Sequence, residues 1–368
     1  MGEWKKIKLK EVLTEVTERN KNERVKNVLS VTNSRGFISQ EEYFEGTVHS
    51  QNISNYKIVR KNQFAYNPSR INVGSIDILT AYDEGALSPM YVVFEVNGSK
   101  LLPEYFKYYF QTHRFAENVK NNTQGSVRNS LSFKALADFE YFLPTIEEQE
   151  EIVKILEKVD LIIKKYEKLL EEKNRFIKSQ FVEMFGNPIT NNKNWQTIKG
   201  KELFVFSSGK GNPTKNLDDN NEFPCYGGNG ITGYSKDYLI DYDTLVIGRV
   251  GAYCGSVHRT TNKVWITDNA IYIKMFKSKI NLKYLEQLLL KINIHNFANA
   301  TGQPKITQEP LESFEYIQPP IELQNRFEGI VQLIDKQKFE LEKIIDNYKK
   351  LKKGLMQQLL TGKIKVKI

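Results

Sequence analysis

Residues 144–185 read PTIEEQEEIVKILEKVDLIIKKYEKLLEEKNRFIKSQFVEMF, and the spacing within them decides the architecture of the whole chain. Apolar side chains recur at Ile152, Ile155, Val159, Ile162, Tyr166 and Leu169 in steps of three and four; Lys173 interrupts and Phe176 resumes. That alternation is the seam of a coiled coil. A second stripe, Leu156, Ile163, Leu170 and Ile177, repeats every seven residues and widens the apolar face. Thr145 followed by Glu148 is a capping box and sets the start of the helix. At about 1.5 Å per residue the helix spans roughly 60 Å, and so long a stripe needs a partner of similar length.

The partner lies in the same chain. Residues 319–360, PPIELQNRFEGIVQLIDKQKFELEKIIDNYKKLKKGLMQQLL, repeat the pattern in register. Pro144 and Pro319, Ile146 and Ile321, Glu147 and Glu322, Gln149 and Gln324, and Asp160 and Asp335 all share an offset of 175, the difference between 319 and 144. The second seam is Phe327, Ile330, Ile334, Leu341, Ile344, Tyr348 and Leu351, with Gln337 as its polar break. Any two long helices share a heptad, but Phe139-Glu140-Tyr141 and Phe314-Glu315-Tyr316 flank the two copies alike, which argues for duplication.

Composition sets wider bounds. The chain has 368 residues, and its hydrophobic content of 40% supports real cores. No apolar run approaches the roughly 18 residues of a membrane span. The opening Met1-Gly2-Glu3-Trp4-Lys5-Lys6 is neither a signal peptide nor a myristoylation site. Two cysteines, Cys225 and Cys254, make no CxxC and no disulfide framework, which fits a reducing cytoplasm. A net charge of +9 points to a polyanionic partner, with a Lys-rich surface as the plainer reading.

In residues 1–143, short apolar runs at 56–59, 63–66, 75–79 and 90–96 are separated by Gly, Asn and Pro, which reads as strands and turns. Leu102-Pro103-Glu104 then opens a helix of about three turns. Residues 187–318 retrace this order. Trp195-Gln196-Thr197-Ile198-Lys199 echoes Trp4-Lys5-Lys6-Ile7-Lys8, and Cys254-Gly255-Ser256-Val257 answers Gly74-Ser75-Ile76. Tyr284-Leu285 answers Tyr105-Phe106, and the loop at Ala300-Thr301-Gly302-Gln303-Pro304-Lys305 answers the one carrying Gly125 and Arg128. The fold class expected is α+β. Two similar mixed α/β domains, 1–143 and 187–318, are separated by two long helices, 144–186 and 319–362, and a basic tail occupies 363–368. The helices are expected to pair as an antiparallel coiled coil with an internal pseudo-twofold repeat.

This order resembles the specificity subunit of type I restriction-modification systems. The resembling motifs are Ile266-Thr267-Asp268-Asn269-Ala270, Ala300-Thr301-Gly302 and the proline-rich leads Leu143-Pro144-Thr145-Ile146-Glu147-Glu148-Gln149 and Pro319-Pro320-Ile321-Glu322-Leu323-Gln324. The resemblance covers essentially the whole chain. It implies a DNA sequence-recognition subunit whose two target-recognition domains each read half of a split double-stranded site. It also implies helices that set the spacer and dock two modification methyltransferase subunits, with restriction/translocase subunits in the full complex and no membrane. S-adenosylmethionine would then sit on the methyltransferase partner, and ATP with Mg on the restriction partner.

The residues themselves give no catalytic constellation. Gly228-Asn229-Gly230-Ile231-Thr232-Gly233 matches GxGxxG, but no clean strand precedes it and no helix pattern follows, so it reads as a turn or a DNA-facing loop. Asn67-Pro68-Ser69 resembles the Asn-Pro-Pro-aromatic loop of adenine methyltransferases, yet Ser69 and Arg70 replace its second proline and stacking aromatic. His49, His113, His258 and His295 have no ligand spacing, and there is no P-loop. The chain is therefore expected to be non-catalytic, with no cofactor or metal of its own; an enzyme with fused recognition domains and a protein-only scaffold are the competing readings. The DNA-binding candidates are basic and amide side chains in Gly-rich loops, where Lys and Arg fix phosphates and Arg, Asn, Gln and Ser read base edges. In the first domain they are Arg35, Arg60, Lys61, Asn67, Arg70, Lys120 and Arg128. In the second they are Lys210, Lys215, Asn229, Arg249, Arg259, Lys263 and Lys305.

Overall fold

The Glu-Tyr pairs of the two Phe-Glu-Tyr triplets begin strands that close each globular segment on its own beginning. The computed structural model describes residues 4–40, 52–123, 130–299 and 302–366. It divides into two units, Met1–Tyr166 with Ile344–Ile368, and Glu167–Lys343.

The first unit carries β1 (Lys5–Lys8), β2 (Leu13–Val16), β3 (Leu29–Thr32), β4 (Gly36–Ser39), β5 (Lys57–Arg60) and β6 (Phe64–Tyr66). Then come β7 (Ile76–Ile78), β8 (Glu84–Leu87), β9 (Val92–Val96), helices α1 (Pro103–Tyr109), α2 (His113–Thr123) and α3 (Phe133–Ala137), and β10 (Glu140–Leu143). β1 pairs antiparallel with β10. The main sheet has the order β2-β9-β6-β7, and β3-β4 and β5-β8 form separate ladders. The sheet packs against α1 through Phe64, Phe94, Tyr105 and Phe106, all fully buried. The expected three-turn helix ends early at Tyr109. Thr112 caps a new helix, its Oγ1 accepting from the Phe115 N–H at 3.2 Å, so the chain turns into α2.

The long helix α4 (Ile146–Phe185) follows. Its capping box is made as expected: the Thr145 N–H donates to Glu148 at 3.0 Å, and the Glu148 N–H donates to Thr145 Oγ1 at 3.3 Å.

The second unit repeats the frame with β11 (Thr197–Lys199), α5 (Gly200–Leu203), β12 (Phe204–Ser208), β13 (Phe223–Gly227), β14 (Gly230–Ser235) and β15 (Ile240–Asp241). It continues with β16 (Leu245–Gly248), β17 (Val257–Arg259), β18 (Lys263–Ile266), β19 (Ala270–Phe276), α6 (Leu282–Ile292), α7 (Gln308–Ser313), β20 (Glu315–Ile317) and the helix α8 (Ile321–Leu359). β11 pairs with β20, and the main sheet has the order β12-β19-β16-β17, the match of β2-β9-β6-β7. A second sheet, β14-β13-β18-β15, contains one parallel pair, β13 with β18. The first unit holds a parallel bridge between Val28 and Ala86 at the corresponding place, beside β3 and β8. The fold is thus α+β, one plan built twice.

Within each unit the long helices pair antiparallel. In the first, Leu156 shares a core with Met356 and Leu359, Lys352 meets Asp160 at 2.6 Å, and Tyr166 stacks on Tyr348 at 6.0 Å. One number climbs as the other falls. In the second, Phe181 and Phe185 pack on Phe327 at 5.7 and 5.4 Å between ring centroids.

Of the seam residues expected from the sequence, Ile152, Val159, Phe327, Ile334 and Leu341 are buried, and Ile155, Ile162, Tyr166, Ile330, Ile344 and Tyr348 are half-buried. Leu169 is 36% exposed. The stripe of Leu156, Ile163 and Ile177 is the buried companion of Ile152 and Val159. Steps of four then three from Ile152, not three then four, run along the heptad core, and Ile155, Ile162 and Leu169 flank it. The repeated prolines and glutamines have one job in both units. Gln149 is fully buried; its Oε1 accepts from the Leu102 N–H at 2.8 Å, and its Nε2 donates to the carbonyls of Lys100 (2.9 Å) and Pro144 (3.0 Å). Gln324 accepts from the Asn281 N–H at 2.9 Å and donates to the Pro319 carbonyl at 2.8 Å. Each glutamine therefore ties the residue that starts a globular helix, α1 or α6, to the start of a long one.

Candidate nucleic-acid interface

The two main sheets end alike. After β6 the chain makes a tight loop through a 3-10 turn, Ile71–Val73, and returns as β7; after β16 it does the same through Gly251–Tyr253 and returns as β17. Each loop closes on a glycine in the left-handed region, Gly74 (φ 91°) and Gly255 (φ 85°), which the sharp reversal requires. A serine follows each. The Asn67 N–H donates to the Ser75 carbonyl at 3.1 Å, and the Gly248 N–H donates to the Ser256 carbonyl at 2.8 Å. The serine hydroxyls reach across to the second layer. Ser75 Oγ donates to the Val31 carbonyl at 2.7 Å, and Ser256 Oγ donates to the Gly228 carbonyl. Val31 lies in the β3-β4 hairpin and Gly228 in the turn of the β13-β14 hairpin. Loop and hairpin together make one edge in each unit. Approach is so close that a Cβ on Gly248 would sit 2.2 Å from the Tyr253 carbonyl and 2.7 Å from that of Gly228.

In the first unit this edge gathers Arg35, Asn67, Arg70 and Lys120. Arg35 is in the β3-β4 turn, its N–H donating to Thr32 Oγ1 at 3.0 Å. Asn67 shapes the loop, its Oδ1 accepting from the Ser69 N–H at 3.1 Å, and Arg70 is exposed just before the 3-10 turn. A cleft of about 490 Å³ separates Asn72 and Gly74 from α2, with Lys120 on its far wall. Arg60 and Lys61 lie elsewhere, before the start of β6. The Arg60 guanidinium grips Glu18 with two hydrogen bonds, of 2.6 and 2.8 Å, and Lys61 is 3.7 Å from Asp83. The Arg60 guanidinium holds the Glu18 carboxyl below its usual range. Arg128 is outside the described residues.

In the second unit the edge gathers Asn229, Arg249, Lys305 and, from the end of β12, Lys210. Asn229 is exposed at the hairpin turn. The Arg249 N–H donates to the Asn269 carbonyl at 2.9 Å, and its Nη1 to Ser208 Oγ at 3.3 Å. Val250 bridges to Lys305. Lys215 lines a polar cavity of about 470 Å³ with Asn212, Lys236 and Trp265. Arg259 and Lys263 are at the opposite strand ends: Arg259 pairs in register with Leu245, the first residue of β16, and is 3.5 Å from Asp243 and 3.9 Å from Glu328. Lys263 lies over the Tyr238 ring at 4.9 Å.

Several residues of this edge escape sequence reasoning. Ser75 and Ser256 were legible only as the shared Gly-Ser step. The others are Tyr253, 53% exposed at its loop tip, and His258 beside Gly230, with Asp77 in the same setting beside Gly36. Burial pushes the Asp77 carboxyl up and the His258 imidazole down. Among the described residues no group of His, Cys, Asp and Glu could hold a metal ion, and no helix is long and apolar enough to cross a membrane.

Comparison with known proteins bears on both units. The profile of the type I restriction modification DNA specificity domain matches residues 1–172 and again 192–352. The type I restriction enzyme EcoprrI specificity subunit of Escherichia coli is 33% identical over 31% of this chain and 28% of its own length. The putative MjaX specificity subunit of Methanocaldococcus jannaschii is 24% identical over 99% of this chain and 94% of its own. Among solved structures, a chain described under complex assembly and conformational transition of the type I R-M system superposes with a TM-score of 0.60 at 14% identity, covering 99% of both chains. The S subunit from M. genitalium gives 0.51 at 16% identity, over 97% of this chain and 96% of that one.

Proposed function

The chain belongs to the type I restriction-modification DNA specificity family, and on that premise we propose that each globular segment, 1–143 and 187–318, reads one half of a split double-stranded DNA site. One observation carries the reading: the same serine-tied edge is built twice with different side chains on it, Asn67 and Arg70 near one serine, Asn229 and Arg249 near the other. One frame with two side-chain sets is what two different half-sites require. Arg, Asn and Gln read base edges, while Arg35, Lys120, Lys210, Lys215 and Lys305 hold phosphates on either side. Arg60, Lys61, Arg259 and Lys263, tied to acids or a ring at the opposite strand ends, approach phosphates and read no base.

The helices of residues 144–186 and 319–362 set the spacing between half-sites and dock two modification methyltransferase subunits, with restriction subunits joining the full complex. This chain is non-catalytic; S-adenosylmethionine belongs to the methyltransferase partner, and ATP with Mg to the restriction partner. The assembly works in the cytoplasm.

The test is to sequence methylated sites in a host carrying this chain and its methyltransferase. A split, asymmetric motif is expected, and Arg249→Ala should relax one half of it alone. A contiguous motif would overturn the reading. So would methylation or cleavage by the purified chain without partners.

A further inference from the structure

Resting on that reading, we infer that Ser75 and Ser256 are positioning residues for sequence discrimination: each hydroxyl locks a hairpin onto the neighbouring loop so that the two meet DNA as one surface. Neither serine need touch a base. Ser75 is 3% exposed, and its Oγ is committed to Val31. Ser256 is half-buried and committed to Gly228.

The geometry recurs in every part. The serine carbonyl accepts from the residue where the chain passes from strand to loop, Asn67 just after β6 or Gly248 at the end of β16, and the hydroxyl donates to the hairpin of the second layer. One residue thus fixes three pieces of backbone: the loop start, the loop end and the hairpin. The hairpins need such a tie. The β3-β4 ladder is only two strands wide and pairs four residues on each side, and β14 is the edge of its sheet. A two-stranded ladder is marginally stable by itself, so the β3-β4 turn depends on such ties to keep its place against the loop. β13 is braced by β18, and there the tie holds the turn that leads into the edge strand β14. In the second unit the His258 ring also packs against the turn, so close that a Cβ on Gly230 would sit 3.3 Å from it.

The consequence separates two quantities. Affinity comes mostly from phosphates, which are spaced regularly and tolerate small displacements of a Lys or Arg. Discrimination comes from donors and acceptors held in register with base edges, where a misplacement of about 1 Å breaks a bidentate pair. Loosening the hairpin should therefore lower the ratio of cognate to substituted affinity while leaving the salt dependence unchanged.

The experiment uses the full chain assembled with its methyltransferase. Its probes are a duplex carrying the methylated motif and duplexes with one base pair changed in either half. Ser256→Ala should lower discrimination about three- to tenfold in one half-site only, the range expected for one lost hydrogen bond. Ser75→Ala should do the same in the other half. The salt slope should match the unaltered protein in both cases, and Ser256→Thr, which keeps the hydroxyl, should restore the ratio. The inference falls if discrimination is unchanged, or if both half-sites weaken together with a fall in melting temperature. Arg249→Ala separates the two claims. If it weakens binding while Ser256→Ala changes nothing, the tie is wrong and the reading edge stands. If neither changes anything, the edge itself is misplaced and the inference goes with it.

Discussion

Replacing Gln149 by leucine should destabilise the first unit by about 4 kcal/mol, more than a surface change could. Leucine is close to glutamine in volume, so the substitution opens little cavity and its cost is polar. Three backbone groups lose their partner: the Leu102 N–H and the carbonyls of Lys100 and Pro144. Lys100 is exposed and its carbonyl can turn to water, whereas Pro144 is buried and Leu102 half-buried. Two stranded groups at about 1–3 kcal/mol each give the figure. The loss is local, so it is best read by amide hydrogen exchange, with urea unfolding to give the total. The Leu102 amide should lose protection along with α1, while amides of the second unit keep theirs. Gln324→Leu should show the mirror image at the Asn281 amide. If Leu102 stays protected in the first variant and the unfolding free energy falls by less than about 1 kcal/mol, the glutamine is a passenger and not a tie.

Two further outcomes are expected. Asp160→Ala strands the Lys352 ammonium, only 19% exposed, and removes the acceptor of the Tyr108 hydroxyl at 3.0 Å; Asp160 is itself 40% exposed, so after discounting for solvent the cost should be about 1–2 kcal/mol in urea unfolding. Lys352→Met should be near neutral, because it removes the charge and leaves an apolar heptad residue; equal losses in the two variants would count against this account. His258 sets a pH dependence. Burial holds its imidazole below the usual 6.5, against weaker pulls from Gly228 and Glu286. The stability it contributes is therefore complete above pH 6.5 and is lost as pH falls from there towards the folded-state value. Protection of the β13-β14 amides should drop between pH 7.5 and 5.5, and His258→Gln should flatten that drop. A flat profile in the unaltered protein would refute the assignment.

The helices and the duplication were legible because heptad spacing, a capping box and paired prolines are local signals that survive without tertiary context. Which flank of the stripe turns inward was not legible. Ile152, Val159 and Tyr166 fit both four-then-three and three-then-four spacing, and only packing against the globular segments chooses Leu156 over Leu169. The charges behave similarly. Arg60 and Arg70 look alike in sequence, but Glu18, 42 residues away, occupies the first and lies far from the second along the chain. The β3-β4 hairpin was missed because its strands are only four residues long; LSVT does alternate, with Leu29 and Val31 buried, but GFIS does not, and only its last residue, Ser39, is buried.

What the structure adds is a reason for the pattern of sameness and difference. The two serines are 181 residues apart, 256 less 75, while the helix starts are 175 apart, 319 less 144. The second copy is thus six residues shorter between serine and helix. Four of the six fall where the first unit has α1 followed by α2 and the second has α6 and a single 3-10 turn, Ile294–Phe297 (102 to 144 against 281 to 319); the other two lie between the serine and the globular helix (75 to 102 against 256 to 281). Length changes there without disturbing either end, because each end is fixed separately. The serine holds loop to hairpin at the reading edge, and the glutamine holds globular helix to long helix at the other. Between two such ties the chain can lengthen, shorten or exchange side chains, and neither the shape of the edge nor its attachment is altered. That separation is what lets one frame carry two different recognition surfaces.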